Sequence, residues 1–109
     1  NLIGCVEGRN ALVIDDIVDT AGSLVEGAKA LQRHGAKAVY ACCTHPVLSE
    51  PACQRLSDSI IKEIVVTNTI PIPESKCFEK LKVLSVAPLL GEAIIRIYDD
   101  LSVSRLFDT

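Results

Sequence analysis

The stretch VIDDIVDTAGS, residues Val13 to Ser23, carries the side chains of this chain that are best suited to binding a ligand. An apolar run leads into two adjacent acids, a third acid three residues later, and then Thr20, a small pair and Ser23. Gly22 allows a sharp turn and the close approach of a ligand, and the first amides of the helix that follows have no partner inside it. Together with the two hydroxyls, such amides bind a phosphate monoester without Lys or Arg. The stretch therefore predicts an anion site.

The two adjacent acids indicate what the anion belongs to. Asp15 and Asp16 would repel a phosphate that they faced, so we expect them to accept hydrogen bonds from sugar hydroxyls or to approach a divalent cation. A phosphorylated sugar is therefore the predicted ligand. The alternative is structural: Asp19 and Ser23 would cap the helix, and the acid pair would only occupy a turn. Asp19 can combine capping with a ligand contact.

Two known aspartate chemistries do not fit this spacing. A response-regulator receiver needs a phosphoacceptor Asp after a later strand, but the later predicted strands lead to Thr44 and Thr67. A haloacid-dehalogenase-like phosphatase needs an Asp two residues after its nucleophile, and Val18 stands two residues after Asp16. The sequence excludes both classes.

Two further polar groups follow predicted strands. Thr44 and His45 come after the second strand, where His45 could pair with phosphate or titrate as an acid, although we favour an ordinary structural role. Thr67, Asn68 and Thr69 follow the third strand. They could hydrogen-bond a sugar, but we favour stabilisation of a turn.

Four short apolar segments predict the strands that must position these groups. They are Ala11 to Ile14, Ala38 to Cys43, Ile64 to Thr67 and Val83 to Val86. Their continuous apolar character is typical of parallel strands covered on both faces.

Segments with a helical period lie between and after the strands. One helix begins at about Ser23 and ends at Gly35, whose left-handed conformation would cap it. A short helix from about Ser49 to Leu56 has Pro51 in its first turn, and a longer helix spans Ala87 to Tyr98.

The order of these elements predicts an α/β fold. It is a doubly wound, mainly parallel sheet of about four strands with flanking helices. The 109 residues allow one domain, residues 1–109. Ligands of such sheets bind beyond the carboxyl ends of the strands, where the polar groups described above are expected.

Composition narrows the classes of partner and location. The formal net charge of −3 argues against nucleic acid as the main partner. No apolar run reaches the roughly 18 residues of a membrane span, so we expect no membrane partner and a cytoplasmic or plastid-stromal protein.

Because the chain starts with Asn1 and contains no Met, we expect a piece of a longer protein. Five cysteines without a CxxC pair predict reduced thiols, with neither a disulfide framework nor a zinc site.

The stretch DDIVDTAGS resembles the ribose-phosphate loop of the type I phosphoribosyltransferase fold, with Ser23 in place of the usual Thr. Further stretches narrow the resemblance to the ribose-phosphate diphosphokinases, which are the phosphoribosyl diphosphate synthetases. They are YACCTHPVLSEPA at Tyr40 to Ala52, VVTNTIP at Val65 to Pro71, GEAIIRI at Gly91 to Ile97 and SVSRLF at Ser102 to Phe107. The chain thus resembles the C-terminal third of a class I, bacterial or plastid-like, enzyme.

The resemblance implies a reaction and a site. The whole enzyme would transfer diphosphate from ATP to the 1-hydroxyl of ribose 5-phosphate, giving phosphoribosyl diphosphate and AMP, with Mg²⁺ required. The ribose hydroxyls would be reached by Asp15 and Asp16. The 5-phosphate would be held by Asp19, Thr20, Ala21, Gly22 and Ser23. The catalytic loop, magnesium ligands and ATP segment of the family lie upstream, so we assign no catalytic or metal-binding residue here and expect the isolated chain to be inactive.

The resemblance also implies regulation and assembly. It places Ser102 and Ser104 in a regulatory anion site between subunits, where inorganic phosphate activates and ADP inhibits, and it implies a homo-oligomer, which is a hexamer in the family. The alternative for this segment is a polar tail docked through Val103, Leu106 and Phe107.

Two other functions share the loop. One is a non-catalytic regulatory subunit of the same fold that associates with active synthetases, and the other is a nucleobase phosphoribosyltransferase, which is not expected to carry SVSRLF. The intact loop favours the enzyme. Cys5, Ile14 and Ile17 stand where the family commonly has Asp, Val and Met, which indicates a divergent member.

Overall fold

Four parallel strands form the sheet. The computed structural model of the chain describes residues 3–108, and its strands are β1 Asn10–Val18, β2 Ala38–Pro46, β3 Ile61–Thr67 and β4 Leu81–Leu84. Their order in the sheet is β1-β2-β3-β4, and all neighbours are parallel. The predicted α/β fold with a parallel sheet of four strands is confirmed. Because the order follows the chain, these four strands show no reversal of the kind that marks the switch point of a doubly wound sheet.

Three α-helices accompany the sheet: α1 Gly22–Arg33, α2 Ala52–Asp58 and α3 Ala87–Tyr98. Two short 3₁₀ helices span Glu74–Lys76 and Val103–Phe107. The bounds predicted for α3 are confirmed, and so is the left-handed Gly35 after α1, with a φ of 90°. α2 begins later than predicted because Pro51, at its N-cap, has a ψ of 39° and lies outside the helix. Within residues 3–108, no helix is long and apolar enough to cross a membrane.

β1 is longer than predicted, and this changes the setting of the acids. The prediction ended the strand at Ile14, but the pairing with β2 continues through Asp15 opposite Cys43 to Val18 opposite Pro46. Backbone hydrogen bonds to β2 hold this segment extended regardless of its side-chain polarity. Asp15 and Asp16 therefore belong to the last residues of β1, and the turn begins at Asp19.

The core lies between one face of the sheet and the helices α1 and α2. The connection from β1 to β2, which contains α1, and the connection from β2 to β3, which contains α2, lie on the same face of the sheet. This follows because parallel crossovers are right-handed and the strands follow chain order. The buried helix residues are Val25, Ala28, Ala52 and Leu56, and the buried sheet residues include Val39, Ala41, Ile64 and Val66. This packing fixes the carboxyl end of β1 against the start of α1.

The other face of the sheet is open in the part of the chain that the structure describes. Leu12, Ile14 and Leu84 are each more than half exposed, and α3 contributes no buried residue. The sequence predicted cover on both faces. The prediction is wrong for these residues, because the apolar character of a strand does not show which faces the same chain covers.

Candidate functional site

The loop between β1 and α1 makes its sharp turn at Ala21, which has left-handed backbone angles of φ 67° and ψ 8°. The amide of Val25 donates to the carbonyl of Ala21 at 3.0 Å and closes the first turn of α1. Gly22 was predicted to provide this turn, but it is the first helical residue and does not need a positive φ. The turn is tolerated at Ala21, whose small side chain is 5% exposed in the core.

The start of α1 offers hydrogen-bond donors to a ligand. The helix has no side-chain cap, so the alternative in which Asp19 or Ser23 caps it is wrong. Among the described residues, the amides of Gly22, Ser23 and Leu24 have no acceptor, and neither do the hydroxyls of Thr20 and Ser23. Because the amino end of a helix also carries partial positive charge, these groups favour an anion.

A cavity of about 220 Å³ lies at this loop, lined by Asp15 and residues 17–24. The structure thus brings together most of the predicted ligand-binding residues: Asp15, Asp19, Thr20, Ala21, Gly22 and Ser23. Asp16 is outside the lining, and since successive side chains of a strand lie on opposite faces, it faces away from its neighbour. Its amide donates to Asp15 Oδ1 at 2.8 Å. Asp15 is therefore the acid of the pair that is placed beside the anion site.

Arg55 of α2 reaches the same loop from outside the cavity. Its Nη1 donates to the carbonyl of Thr20 at 3.0 Å, and a Cβ built on Gly22 would lie 3.1 Å from that nitrogen. Arg55 was not among the residues predicted from the sequence. Arg55 follows Thr20 by 35 positions and lies in a short helix, so no local pattern indicated the contact.

His45 has a structural hydrogen bond at the carboxyl end of β2. Its Nδ1 lies 2.8 Å from Thr69 Oγ1, and the Thr69 hydroxyl donates to the carbonyl of Thr44 at 3.2 Å. The donor in the bond between His45 and Thr69 depends on the tautomer of the imidazole. These contacts agree with the structural role favoured from the sequence.

The segment after β3 is held by its own side chains. Thr67 Oγ1 donates to the carbonyl of Thr44 at 2.6 Å, and Asn68 Oδ1 accepts the amide of Val86 at 2.8 Å. Thr67, Asn68 and Thr69 all make hydrogen bonds within the protein. Their contacts agree with stabilisation of a turn.

The predicted regulatory serines lie at the start of the second 3₁₀ helix. Ser102 Oγ lies 2.6 Å from Ser104 Oγ and accepts the amide of Ser104 at 3.2 Å, while Arg96 Nη1 donates to the carbonyl of Ser102 at 3.1 Å. Within the described residues Phe107 is 77% exposed, so the alternative of a docked tail would need a surface outside them. The anion-site assignment stays a prediction.

A larger cavity, of about 440 Å³, lies at the opposite edge of the sheet, where β2 and β3 begin. Its lining includes Lys37, Lys62 and Lys80. Lys80 Nζ donates to the carbonyl of Ser59, just after α2, at 2.7 Å. Because helix carboxyl ends carry partial negative charge, Lys80 stabilises the end of α2 without any ligand. We place the ligand site at the loop instead.

The described residues do not form a metal centre. No three His, Cys, Asp or Glu side chains within residues 3–108 come together as ligands. Asp15 and Asp16 alone do not enclose Mg²⁺, which prefers several oxygen ligands. A magnesium ion would need ligands from outside these residues.

The five cysteines are free thiols in the described residues, and their reduced state stays a prediction. Burial raises the pKa of Cys43, which is 4% exposed, and burial likewise raises the pKa of Cys53. Both side chains therefore remain neutral thiols near pH 7 and behave as small apolar residues.

Comparison with known proteins gives one consistent relationship. The ribose-phosphate pyrophosphokinase of Corynebacterium ammoniagenes is 60% identical over 108 residues, which are 99% of this chain and 34% of that protein. The Bacillus subtilis protein of the same name is 59% identical over 107 residues, with 98% and 34% covered. The chain spans about a third of the length of these curated relatives.

A solved structure agrees with these relatives. The crystal structure of phosphoribosylpyrophosphate synthetase from Mycobacterium smegmatis superposes with a TM-score of 0.87 at 43% identity, covering 90% of this chain and 33% of that one. The sequence model described as the phosphoribosyl synthetase-associated domain matches residues 1–108. This match covers nearly the whole chain, so the chain belongs to the phosphoribosyl synthetase-associated domain family.

Proposed function

We propose that the protein carrying this chain is a ribose-phosphate diphosphokinase and that this chain supplies its ribose 5-phosphate site. The whole protein would transfer diphosphate from ATP to the 1-hydroxyl of ribose 5-phosphate, giving phosphoribosyl diphosphate and AMP. One observation carries the proposal: the first amides of α1 have no acceptor among the described residues and border a cavity that Asp15 also lines. The similarity to ribose-phosphate pyrophosphokinases supports it.

The residues of this chain would act by binding and orientation. The amides of Gly22, Ser23 and Leu24, with the hydroxyls of Thr20 and Ser23, would hold the 5-phosphate. Asp15 would accept hydrogen bonds from ribose hydroxyls and so fix the sugar ring relative to its phosphate. Holding the 1-hydroxyl in place lowers the barrier because phosphoryl transfer depends mainly on positioning and charge stabilisation.

The groups that stabilise charge at the transferred phosphates would come from outside this chain. In the whole enzyme Mg²⁺ would neutralise part of the phosphate charge, held by ligands that are mostly elsewhere. No described residue is assigned to proton transfer. We therefore expect this chain alone to bind the sugar phosphate at most and to catalyse no transfer.

Other parts of the proposal rest on family resemblance. They are the assignment of the chain to the C-terminal third, the hexamer, the regulatory anion site at Ser102 and Ser104, and a cytoplasmic or plastid-stromal location. The relatives are named as enzymes, which supports an enzyme over a regulatory subunit.

The proposal is tested by product formation in the intact protein. With ATP and ribose 5-phosphate, we expect equal amounts of AMP and phosphoribosyl diphosphate. Asp15→Asn should raise the KM for ribose 5-phosphate about 10- to 100-fold, since it weakens hydrogen bonds to a charged acceptor worth about 1.5 to 3 kcal/mol. Asp99→Asn, at the exposed end of α3, is the control and should leave the KM unchanged.

Three results would contradict the proposal, and the first two concern the assays just described. The first is the absence of AMP, which would favour a regulatory subunit, and the second is an equal effect of the two substitutions. The third is transfer of the phosphoribosyl group to a nucleobase, which would assign the protein to the phosphoribosyltransferases instead.

A further inference from the structure

Arg55 makes a side-chain hydrogen bond from another element to the backbone of the ligand-binding loop. Its Nη1 donates to the carbonyl of Thr20 at 3.0 Å, which joins α2 to the segment between β1 and α1. The beginning of the loop has a separate backbone contact, since the amide of Leu48 donates to the carbonyl of Val18 at 3.0 Å. Arg55 thus adds a side-chain link from α2 to the middle of the loop, which is also held by the burial of Ala21 in the core.

The hydrogen bond fixes the direction of one peptide group. In a planar trans peptide the C=O and N–H point in opposite directions. The carbonyl of Thr20 points to Arg55, which lies outside the cavity lining, so the amide of Ala21 in the same peptide is turned away from α2. Ala21 itself lines the cavity. Arg55 therefore orients the peptide that enters the left-handed turn.

Gly22 makes room for this contact. A Cβ at position 22 would lie 3.1 Å from Arg55 Nη1, which is tighter than ordinary van der Waals contact, and 4.0 Å from Arg55 Cζ. A methyl group there would require the guanidinium to shift by a few tenths of an ångström, which lengthens or bends its hydrogen bond to Thr20. The glycine of the loop is thus fitted to the arginine of α2.

The charge of Arg55 is also suited to this position. The cavity lining contains Asp15 and Asp19 but no Lys or Arg. Arg55 forms no salt bridge with the described residues, and Asp58 on the same helix accepts a hydrogen bond from Gln54 instead, at 2.8 Å. Arg55, which is always protonated, therefore brings its positive charge to the carbonyl of Thr20, next in sequence to Asp19.

We propose that Arg55 is a positioning residue for phosphate binding: it holds the Thr20–Ala21 peptide in the orientation that presents the loop amides, and Gly22 provides the space it needs. The inference rests on the proposed function of the loop. Arg55 acts through the backbone and is not assigned to touch the substrate.

The test uses the intact protein with Arg55→Ala and Arg55→Lys. Arg55→Ala should raise both the Kd and the KM for ribose 5-phosphate about tenfold, which is about 1.4 kcal/mol, with little change in kcat or in the KM for ATP. Arg55→Lys keeps the charge and a group that can donate to the Thr20 carbonyl, so it should retain most of the affinity. Gln54→Ala, one position earlier on the same helix, is the control and should change neither constant.

A double-mutant cycle tests the link to Gly22. Gly22→Ala should weaken ribose 5-phosphate binding in the wild-type background and have a smaller effect in Arg55→Ala, because the displaced contact is already absent. If Arg55→Ala does not fold, the Arg55→Lys and Gly22→Ala variants test the role of Arg55. We then expect a raised Kd for ribose 5-phosphate in Gly22→Ala and a near-normal Kd in Arg55→Lys.

Three results would overturn the inference: wild-type affinity in Arg55→Ala, equal losses for ribose 5-phosphate and ATP, or independent effects of the two positions. If the wild-type protein binds ribose 5-phosphate at the loop and Arg55→Ala keeps its affinity, only the role of Arg55 is wrong. If the wild-type protein does not bind ribose 5-phosphate at the loop, the proposed function fails as well.

Discussion

Single residues of the β1–α1 loop combine an unfavourable backbone with favourable surroundings. A non-glycine residue in the left-handed region costs about 1 to 2 kcal/mol, and Ala21 adopts it with a φ of 67°. Burial of its methyl group in the core and the bond from Arg55 to the preceding carbonyl offset that cost. The result is a set of amides that have no acceptor within residues 3–108.

The cysteines allow a prediction at the same scale. Iodoacetamide should modify the exposed Cys5 and Cys77 near neutral pH before it modifies Cys43 and Cys53, because burial raises the pKa of the latter two and only the thiolate reacts. Mass spectrometry of the labelled protein measures the order. Equal rates at Cys43 and Cys77 would contradict the described burial.

The same two thiols make a small contribution to the pH dependence of stability. Their folded-state pKa is raised, so the folded protein holds these protons more tightly than the unfolded chain. Their contribution is complete below the ordinary thiol pKa of about 8.5 and is lost as the pH rises through the raised value.

Helix α1 has two different ends, and each serves a different purpose. Its amino end lacks a side-chain cap and faces the cavity, while its carboxyl end is closed by backbone bonds from His34, Gly35 and Ala36 to the last turn. Gly35 has a φ of 90° there, and a Cβ would lie 3.0 Å from Glu7 Cγ. The closed end stabilises the helix, and the open end is left for a ligand.

A pair of glycine substitutions tests this description of α1. Gly35→Ala should destabilise the protein by about 1 kcal/mol or more, because of the positive φ and the contact with Glu7. Gly27→Ala, inside the helix with no atom within 4 Å of the added methyl group, should stabilise it by about 0.4 to 1 kcal/mol. Denaturant unfolding measures both, and changes of the same sign would be evidence against this account.

The packing of α2 gives a second prediction at the scale of elements. Leu56→Ala removes a fully buried side chain and should lower the free energy of unfolding by about 2 to 5 kcal/mol. The matched control is Leu89→Ala in α3, where the side chain is 46% exposed and the change should stay within about 0.5 kcal/mol. Similar losses of unfolding free energy at the two positions would mean that α3 is packed against a surface outside the described residues.

The molecule as a whole is well packed on one side of its sheet and open on the other. α1 and α2 cover one face, while Leu12, Ile14 and Leu84 on the sheet and all of α3 remain exposed or half-exposed among the described residues. Local stability follows buried apolar contact. The strands β2 and β3 are therefore the most stable part of the chain, and α3 is the least supported helix.

Hydrogen exchange of the 109-residue chain checks this distribution. Amides of β2 and β3 should exchange last, and those of α3 should exchange early. Protection of α3 equal to that of β3 would show that the helix is packed against a surface other than the one described.

The sequence predicted the parallel α/β fold, the bounds of α3 and the capping Gly35, because each depends on local residue patterns. It placed Asp15 and Asp16 in a turn, because it could not show that pairing with β2 extends the strand past its apolar residues. It missed Arg55 for a related reason, since a hydrogen bond between distant elements leaves no periodic pattern. The sequence also could not show that the loop residues line one cavity, because that depends on how the end of β1 and the start of α1 are placed in the folded chain.

The most direct test of the central claim is a crystal structure of the intact protein with ribose 5-phosphate bound. We expect phosphate oxygens about 2.7 to 3.2 Å from the amide nitrogens of Gly22, Ser23 and Leu24, with ribose hydroxyls at Asp15. Phosphate bound at the lysine-lined cavity around Lys37, or anywhere else that leaves those amides without an acceptor, would contradict the claim.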